Sequence, residues 1–396
     1  MKSQIISILA VVALSIFSSC EKQIDIPVTD IIFPIPDNTH TKGQQFQDKL
    51  NEYAAKGLVG VSLSVDDPVN GFWAGASGKA CLETGEDMTK YHLQYSGSIP
   101  KMYIGTLIML LNEEGLIDLN ARINQYLPKD MCDQLTNGNE ITIYQLMTHS
   151  SGLYDYAGDP QAYFDFMNDP NSIHWTPEQM IEIMYGKKAD FAPGAKHEYC
   201  NSNFLLLAVI IDQIKGNHAQ YLKDAVLDPQ GLTQTYYKIQ AGYPYPDGTV
   251  NAYADYYATG RVINITDIYD NKWNLMVGDD GMIAAPYDYL KFTKSLFEWN
   301  IVSLESLAKM QEWFYWNDGD ENSWRSGLAI HCWRNDAKDI WGMGHSGTTD
   351  GMGGFVFYFP GKAVTIALFT NEGVERGEAG PIFYTLWEDI VEIANR

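Results

Sequence analysis

A chain of 396 residues, 45% apolar and 13% aromatic, can fill one large core or two smaller ones, which excludes disorder over most of its length. Its formal charge of -23, with no basic cluster to neutralise phosphates, excludes nucleic acid and anionic membrane surfaces as partners. Five cysteines with no Cys-x-x-Cys spacing, and no His-Glu-x-x-His, predict neither a metal nor a cofactor.

The elements begin with a leader. Met1 to Phe17, "MKSQIISILAVVALSIF", is one lysine followed by an apolar run too short to cross a bilayer comfortably, so it reads as a secretory signal. The small residues of "SSC" before Cys20 resemble a bacterial lipobox, with Phe17 where Leu is usual. Residues 1–20 are therefore expected to be a lipoprotein signal peptide, with Cys20 the lipidated first residue of the mature chain. The protein is expected in the cell envelope, periplasmic or surface-exposed, as a monomer that touches the membrane through this N-terminal anchor only. Residues 21–42 carry prolines and no period, and are expected to be a flexible tether. The four remaining cysteines, Cys81, Cys132, Cys200 and Cys332, allow disulfides without fixing a pairing.

Residues 43–396 read as one catalytic unit. "GQQFQDKLNEYAAKG" predicts a helix, and "LVGVSLSV" and "NGFWAGASG" predict strands. In "YSGSIPKMYIG", Pro100 suits only the first helical turn, and Gly115 ends the apolar helix behind it. Ser98 and Lys101 then share one face near the helix mouth, beside free backbone N–H groups. Ser-x-x-Lys is a short pattern, and the chain holds two others: Ser19 with Lys22 in the leader, and Ser306 with Lys309 on an amphipathic helix. Residues 105–294 are mainly helical, and "WTPEQMIEIMYG" offers Thr176 as N-cap, Pro177 at N1 and Gln179 at N3. Strands return in "SGLAIHCWR", "IWGMGH", "GGFVFYF" and "AVTIALFTN", and "PIFYTLWEDIVEIANR" closes the chain as a helix. Strands at both ends of a helical middle predict an α+β unit: residues 43–104 and 295–396 form the α/β part, flanking an all-helical insertion at 105–294.

A cleft between sheet and insertion needs polar residues from each side. "PGAKHEYCNSNF" places Tyr199 and Asn201 two apart before an apolar helix, and "GMGHSGTTDGMGG" places His345 and Gly347 between two strand runs. Ser-x-x-Lys, Tyr-x-Asn and His-x-Gly in this order resemble the three motifs of the serine β-lactamase and penicillin-binding-protein family. Tyr269 and Asn271 also fit Tyr-x-Asn, but only Tyr199 has Pro193-Gly194 upstream and Asn203-Phe204 downstream. "GMGHSG" also spells Gly-x-Gly-x-x-Gly, without the helix a dinucleotide site requires. "LMTHSSGLYDY", "DPQGLTQTYY" and Trp273 five residues before Gly278 place the resemblance nearest the secreted D-alanyl-D-alanine carboxypeptidase and class C β-lactamase branch.

That resemblance implies a β-lactamase/transpeptidase-like fold with an antiparallel sheet flanked by helices. It implies Ser98 as nucleophile, activated by Lys101 and Tyr199, with the lysine losing its charge more readily in an enclosed site. Asn201 would hold the substrate amide, neutral His345 would support Tyr199, and the N–H groups of Ser98 and Thr348 would form the oxyanion hole. Gly347, Thr348 and Trp273 complete the implied substrate-binding set. The implied reaction is hydrolysis of a small-molecule or peptidoglycan-derived substrate through an acyl-enzyme, of DD-carboxypeptidase or β-lactamase type. Esterase and D-amino-acid amidase activities, or a non-turnover cell-wall sensor, use the same residues. One departure concerns the substrate. Where the carboxypeptidases place an arginine after a "GLGL"-like strand, this chain has "GLAI" and then His331, with Arg334 three further on. Asp279 and Asp280 fall in a loop expected near the cleft, either to attract an amine or as a solvated turn.

Overall fold

The computed structural model describes residues 32–162, 176–237, 246–267, 277–315 and 324–396. Cys20 and Trp273 lie outside them. Helix α1 (Gly43–Ala55) spaces Phe46, Leu50 and Tyr53 four and three residues apart, which puts all three on one face. Strands β1 (Gly60–Asp67) and β2 (Gly71–Cys81) follow as an antiparallel pair. Near the C-terminus, β3 (His331–Asn335), β4 (Ile340–Thr349), β5 (Met352–Phe359) and β6 (Val364–Thr370) form a meander. The chain ends join when β6 pairs with β1, in a register that sets Val61 opposite Thr370. The resulting nine-stranded sheet runs Glu86–Asp87, β2, β1, β6, β5, β4, β3, Arg325–Ser326, Phe314–Tyr315, antiparallel throughout.

Both faces of this sheet are covered. On one face, Val61, Leu63 and Val65 of β1, Phe355 and Phe357 of β5 and Ile366 of β6 pack against α1 and the C-terminal helix, Ala379–Asn395. That helix presents Phe383, Leu386, Trp387, Ile390 and Val391, a helical stripe whose Trp387 ring stacks on Phe355 at 4.8 Å. The other face meets the helix Pro286–Phe297 and, beyond it, the insertion, which shares a single larger core. Two helices of that core are buried nearly all round: α2 (Pro100–Glu113) and α3 (Ser202–Lys215). Their apolar runs have little amphipathic period because both sides are covered by protein.

Three details differ from the sequence reading. The insertion is not all-helical: its strands Met282–Ala284 and Thr235–Tyr237 join Gln94–Tyr95 of the α/β part in a small sheet, and Tyr253–Ala254 pairs with Ile263–Asn264. Strands of two or three residues are too short to show a period of two. The helix Pro286–Phe297 lies against β1, β5 and β6, so the contact with the sheet begins before residue 295. The end of the expected tether is fixed to the body. Asn38 exchanges two 2.9 Å hydrogen bonds with the backbone of Ala74, Thr39 and His40 donate to the Phe72 carbonyl, and Phe33 is buried in the core. All four described cysteines are buried and free, so no disulfide joins them.

Candidate active site

Pro100 starts α2 at its first position, and Ser98 stands just before it on a tight turn. Ile99 N–H donates to the Ser96 carbonyl, and Lys101 N–H to the Ser98 carbonyl, each at 3.2 Å. This turn presses edge-on against β4. A Cβ on Gly347 would lie 1.9 Å from the Ser96 oxygen, and one on Gly97, whose φ is +50°, would lie 2.8 Å from the Thr348 nitrogen. Only glycine at both positions permits that approach, and it brings the backbone of Ser98 alongside that of Thr348.

Lys101 points from α2 into the protein and is fully buried. Its three protons are shared among Ser98 Oγ at 2.8 Å, Asn201 Oδ1 at 2.9 Å, the Asp279 carbonyl at 2.9 Å and the Tyr199 phenol. Burial alone would lower its pKa, but Tyr199, Asp279 and Asp280 outweigh burial and raise it. The pull of Tyr199 exists only once that phenol has ionised, and burial raises the Tyr199 pKa in turn. Enclosure acts in the expected direction, since burial lowers the Lys101 pKa, while its hydrogen-bonding and acidic neighbours act against burial and make the net direction upward.

Tyr199 lies just before α3, with its phenol hydrogen-bonded to both Lys101 and Ser98. His149 stacks on its ring at 4.4 Å. That imidazole is fixed through Nδ1, which accepts from Cys200 N–H at 3.0 Å and faces Asn203 Nδ2 at 3.2 Å. Burial, then His197 and Lys101, hold it well below the ordinary histidine range, so it is neutral. His149 was legible only as part of "LMTHSSGLYDY", with no role attached.

Asn201 lines the cleft and is also tied into the protein. Its Oδ1 takes a Lys101 proton and its Nδ2 donates to Asp155 at 2.9 Å, so its first task is to orient the lysine. His345 is buried with its pKa pushed down to about 3 by burial and Lys101, and is neutral as expected. Its ring partner is His331, stacked at 3.8 Å, while the rings around Tyr199 are those of His149 and His331. His331 therefore stands between the two, and His345 makes no ring contact with Tyr199 of its own among those seen. His331 is itself held neutral by burial and by its histidine and lysine neighbours. Arg334 points elsewhere, forming an ion pair with Asp336 at 2.7 Å.

Asp279 and Asp280 are not a solvated turn. Both carboxyls are largely buried, and burial lifts them to about 6 and about 7. Tyr156 donates to Asp279, and Ser96 Oγ donates to Asp280 at 3.0 Å. Ser96 Oγ also accepts Met282 N–H at 3.2 Å, which ties the nucleophile turn to this loop.

These groups open into a cleft of about 510 Å³, reached by Ser98, Tyr199, Asn201, His331 and Thr348. Asp279, Asp280, Asp350, Glu375 and Arg376 also line it. Glu375 and Arg376 come from the segment between β6 and the C-terminal helix, and no motif in the sequence marked them. Such a cleft offers a hydroxyl beside a phenol, a lysine amine beneath both, and a strand edge opposite: the parts required for acyl transfer. Trp273 lies outside the described residues.

The Beta-lactamase family model matches residues 46–385. The Bacillus subtilis (strain 168) protein PbpX is 28% identical over 218 residues, covering 54% of this chain and 49% of that protein. The chain thus spans about half the length of this relative. Penicillin-binding protein 4 of Amycolatopsis lactamdurans is 24% identical over 316 residues, covering 76% of this chain and 77% of that protein. Among solved structures, D-amino acid amidase from Ochrobactrum anthropi SV3, complexed with L-phenylalanine amide, aligns with a TM-score of 0.76 at 22% identity. The alignment covers 89% of this chain and 97% of that one, and at this identity the likeness speaks to the fold.

Proposed function

Since the chain belongs to the Beta-lactamase family over most of its length, we propose that it is a serine hydrolase that forms an acyl-enzyme on Ser98. The observation that carries this reading is the contact of the Ser98 hydroxyl with both Lys101 and Tyr199. Lys101 donates to Ser98 Oγ, which leaves the hydroxyl proton free to be given to the phenol oxygen. In acylation, Ser98 Oγ attacks the substrate carbonyl carbon and its proton passes to Tyr199. Tyr199 gives its own proton to the leaving nitrogen or oxygen as the scissile bond breaks. Deacylation reverses the relay: water attacks the ester carbon, its proton goes to Tyr199, and the phenol proton returns to Ser98. Lys101 stays charged throughout and stabilises negative charge developing on Tyr199. The N–H groups of Ser98 and Thr348 receive the carbonyl oxygen, consistent with the glycine-only approach between their segments.

The substrate read from this cleft is an amide or ester without a free carboxylate beside the scissile bond, as in amidase or esterase action. A DD-carboxypeptidase must pair that carboxylate, and a guanidinium fork is the usual means. The residue following "GLAI" is neutral His331, and Arg334 is tied to Asp336. Cleavage of D-alanyl-D-alanine peptides or β-lactams by the same machinery is the second reading, supported by the similarity to penicillin-binding protein 4. Labelling with a fluorophosphonate or a tagged penicillin, followed by peptide mapping, tests the shared chemistry. The adduct is expected on Ser98 and lost in Ser98→Ala; labelling that survives that substitution would exclude Ser98 as the nucleophile.

A further inference from the structure

We propose that Glu375 is a specificity-determining residue that turns the leaving-group side of the cleft against anionic substrates and toward neutral or cationic ones. The inference rests on the acyl-enzyme reading above and deepens it. Thr348 stands on the strand edge facing the Ser98 turn and lines the cleft, so its hydroxyl is one donor that a carboxylate entering there could meet. That hydroxyl has a single proton. It is already given to Glu375 Oε1, at 2.8 Å. The carboxylate of Glu375 thus engages that donor before any substrate does, and adds a negative charge beside it.

The surrounding charges work in the same direction. Asp350 lines the same cleft, as do Asp279 and Asp280, which add negative charge as they ionise, and among the described residues Arg376 is the one cation in the lining. The Arg376 guanidinium is itself drawn toward Asp350, at 3.8 Å, and lies over the Tyr256 ring at 5.7 Å from its centroid. It therefore offsets Asp350 rather than standing ready for a substrate. A carboxylate entering beside Thr348 would meet a spent donor and a like charge, and that juxtaposition costs binding as well as encounter rate. An amide or a quaternary ammonium group meets neither obstacle, and the ammonium gains from the acidic wall.

The test uses three thioesters of N-acetyl-D-alanine that differ only in the leaving thiol: thioglycolate, mercaptoacetamide and thiocholine, which are anionic, neutral and cationic. Thiol release is followed by colour, and kcat/KM is measured for the wild type and for Glu375→Gln, which keeps an acceptor for Thr348 and removes the charge. Comparing variant to wild type for each substrate cancels the differing reactivity of the thiols. The thioglycolate ester is expected to gain about tenfold and the thiocholine ester to lose, with mercaptoacetamide between them and the spread shrinking in high salt. A uniform change across the three, or a wild-type preference for thioglycolate, would overturn the role of Glu375 alone. If none of the three acylates Ser98, as read by intact-protein mass, the acyl-enzyme reading itself falls.

Discussion

At the residue scale, the most consequential departures from an ordinary environment are the adjacent carboxyls of Asp279 and Asp280. Burial is the main cause of the raised Asp280 value of about 7, with Asp279 adding to it and the Gly281 N–H opposing it. The folded value lies above the unfolded one near 3.8, so between those limits the folded state binds more protons than the unfolded state. Stability from this group is therefore present in acid, declines as pH rises through about 4 to 7, and is flat above. Asp280→Asn keeps an acceptor for Ser96 and Gly281 and deletes the charge. The variant should match the wild type near pH 4.5 and exceed it near pH 8 by on the order of 1 kcal/mol, read from denaturant midpoints at each pH. Other carboxyls titrate in the same window, so the quantity to follow is the difference between the two proteins. A difference that is constant with pH would mean that Asp280 is not carrying the shifted proton.

At the element scale, the site exists because a turn and a strand are allowed to touch. Gly347→Ala places a Cβ 1.9 Å from the Ser96 oxygen and 3.0 Å from both the Ser96 carbonyl carbon and the Ser98 nitrogen. Backbone cannot yield as a flexible side chain does, so the turn must move and take Ser98 away from Thr348. A loss in kcat/KM of roughly a hundredfold or more is expected, with a stability cost of about 1–3 kcal/mol. Full activity in Gly347→Ala would refute the close approach. The three motifs were legible because each sits where local chemistry is loud. Pro100 marks the start of α2 behind Ser98, Tyr199 abuts the unbroken apolar run of α3, and His345 and Gly347 fall where one strand-forming run gives way to the next. Glu375 and Arg376 were not legible. They reach the cleft only because β6 ends beside β1 and the chain turns back across the end of the sheet, a long-range pairing that no local pattern encodes. His149 stayed without a role for a similar reason: its partners Cys200 and Asn203 lie more than fifty positions away in the chain.

At the scale of the whole molecule, the pairing of β1 with β6 closes the two chain ends into one sheet, and this determines where any anchor must leave the body. Asn38, Thr39 and His40 are bonded along β2, and Phe33 is buried, so the chain is held to the body from residue 33 onward. Among the described residues no helix is long and apolar enough to cross a membrane. We propose attachment through a lipid on Cys20, on the strength of the apolar leader and "SSC". Twelve residues, 21–32, would then link lipid to body, and a fully extended chain of that length reaches about 40 Å. The catalytic unit would be confined to a shell next to the membrane rather than free to sweep the envelope. Cys20→Ser should move the protein from the detergent phase to the aqueous phase on partitioning, with labelling of Ser98 unchanged because the anchor and the cleft share no residues. Wild-type protein found in the aqueous phase would exclude the anchor. Insertion of a twenty-residue flexible segment after Glu21 should leave partitioning intact and raise the rate against insoluble cell-wall substrate if that short reach limits access; an unchanged rate on the polymer would show that tether length does not restrict the enzyme.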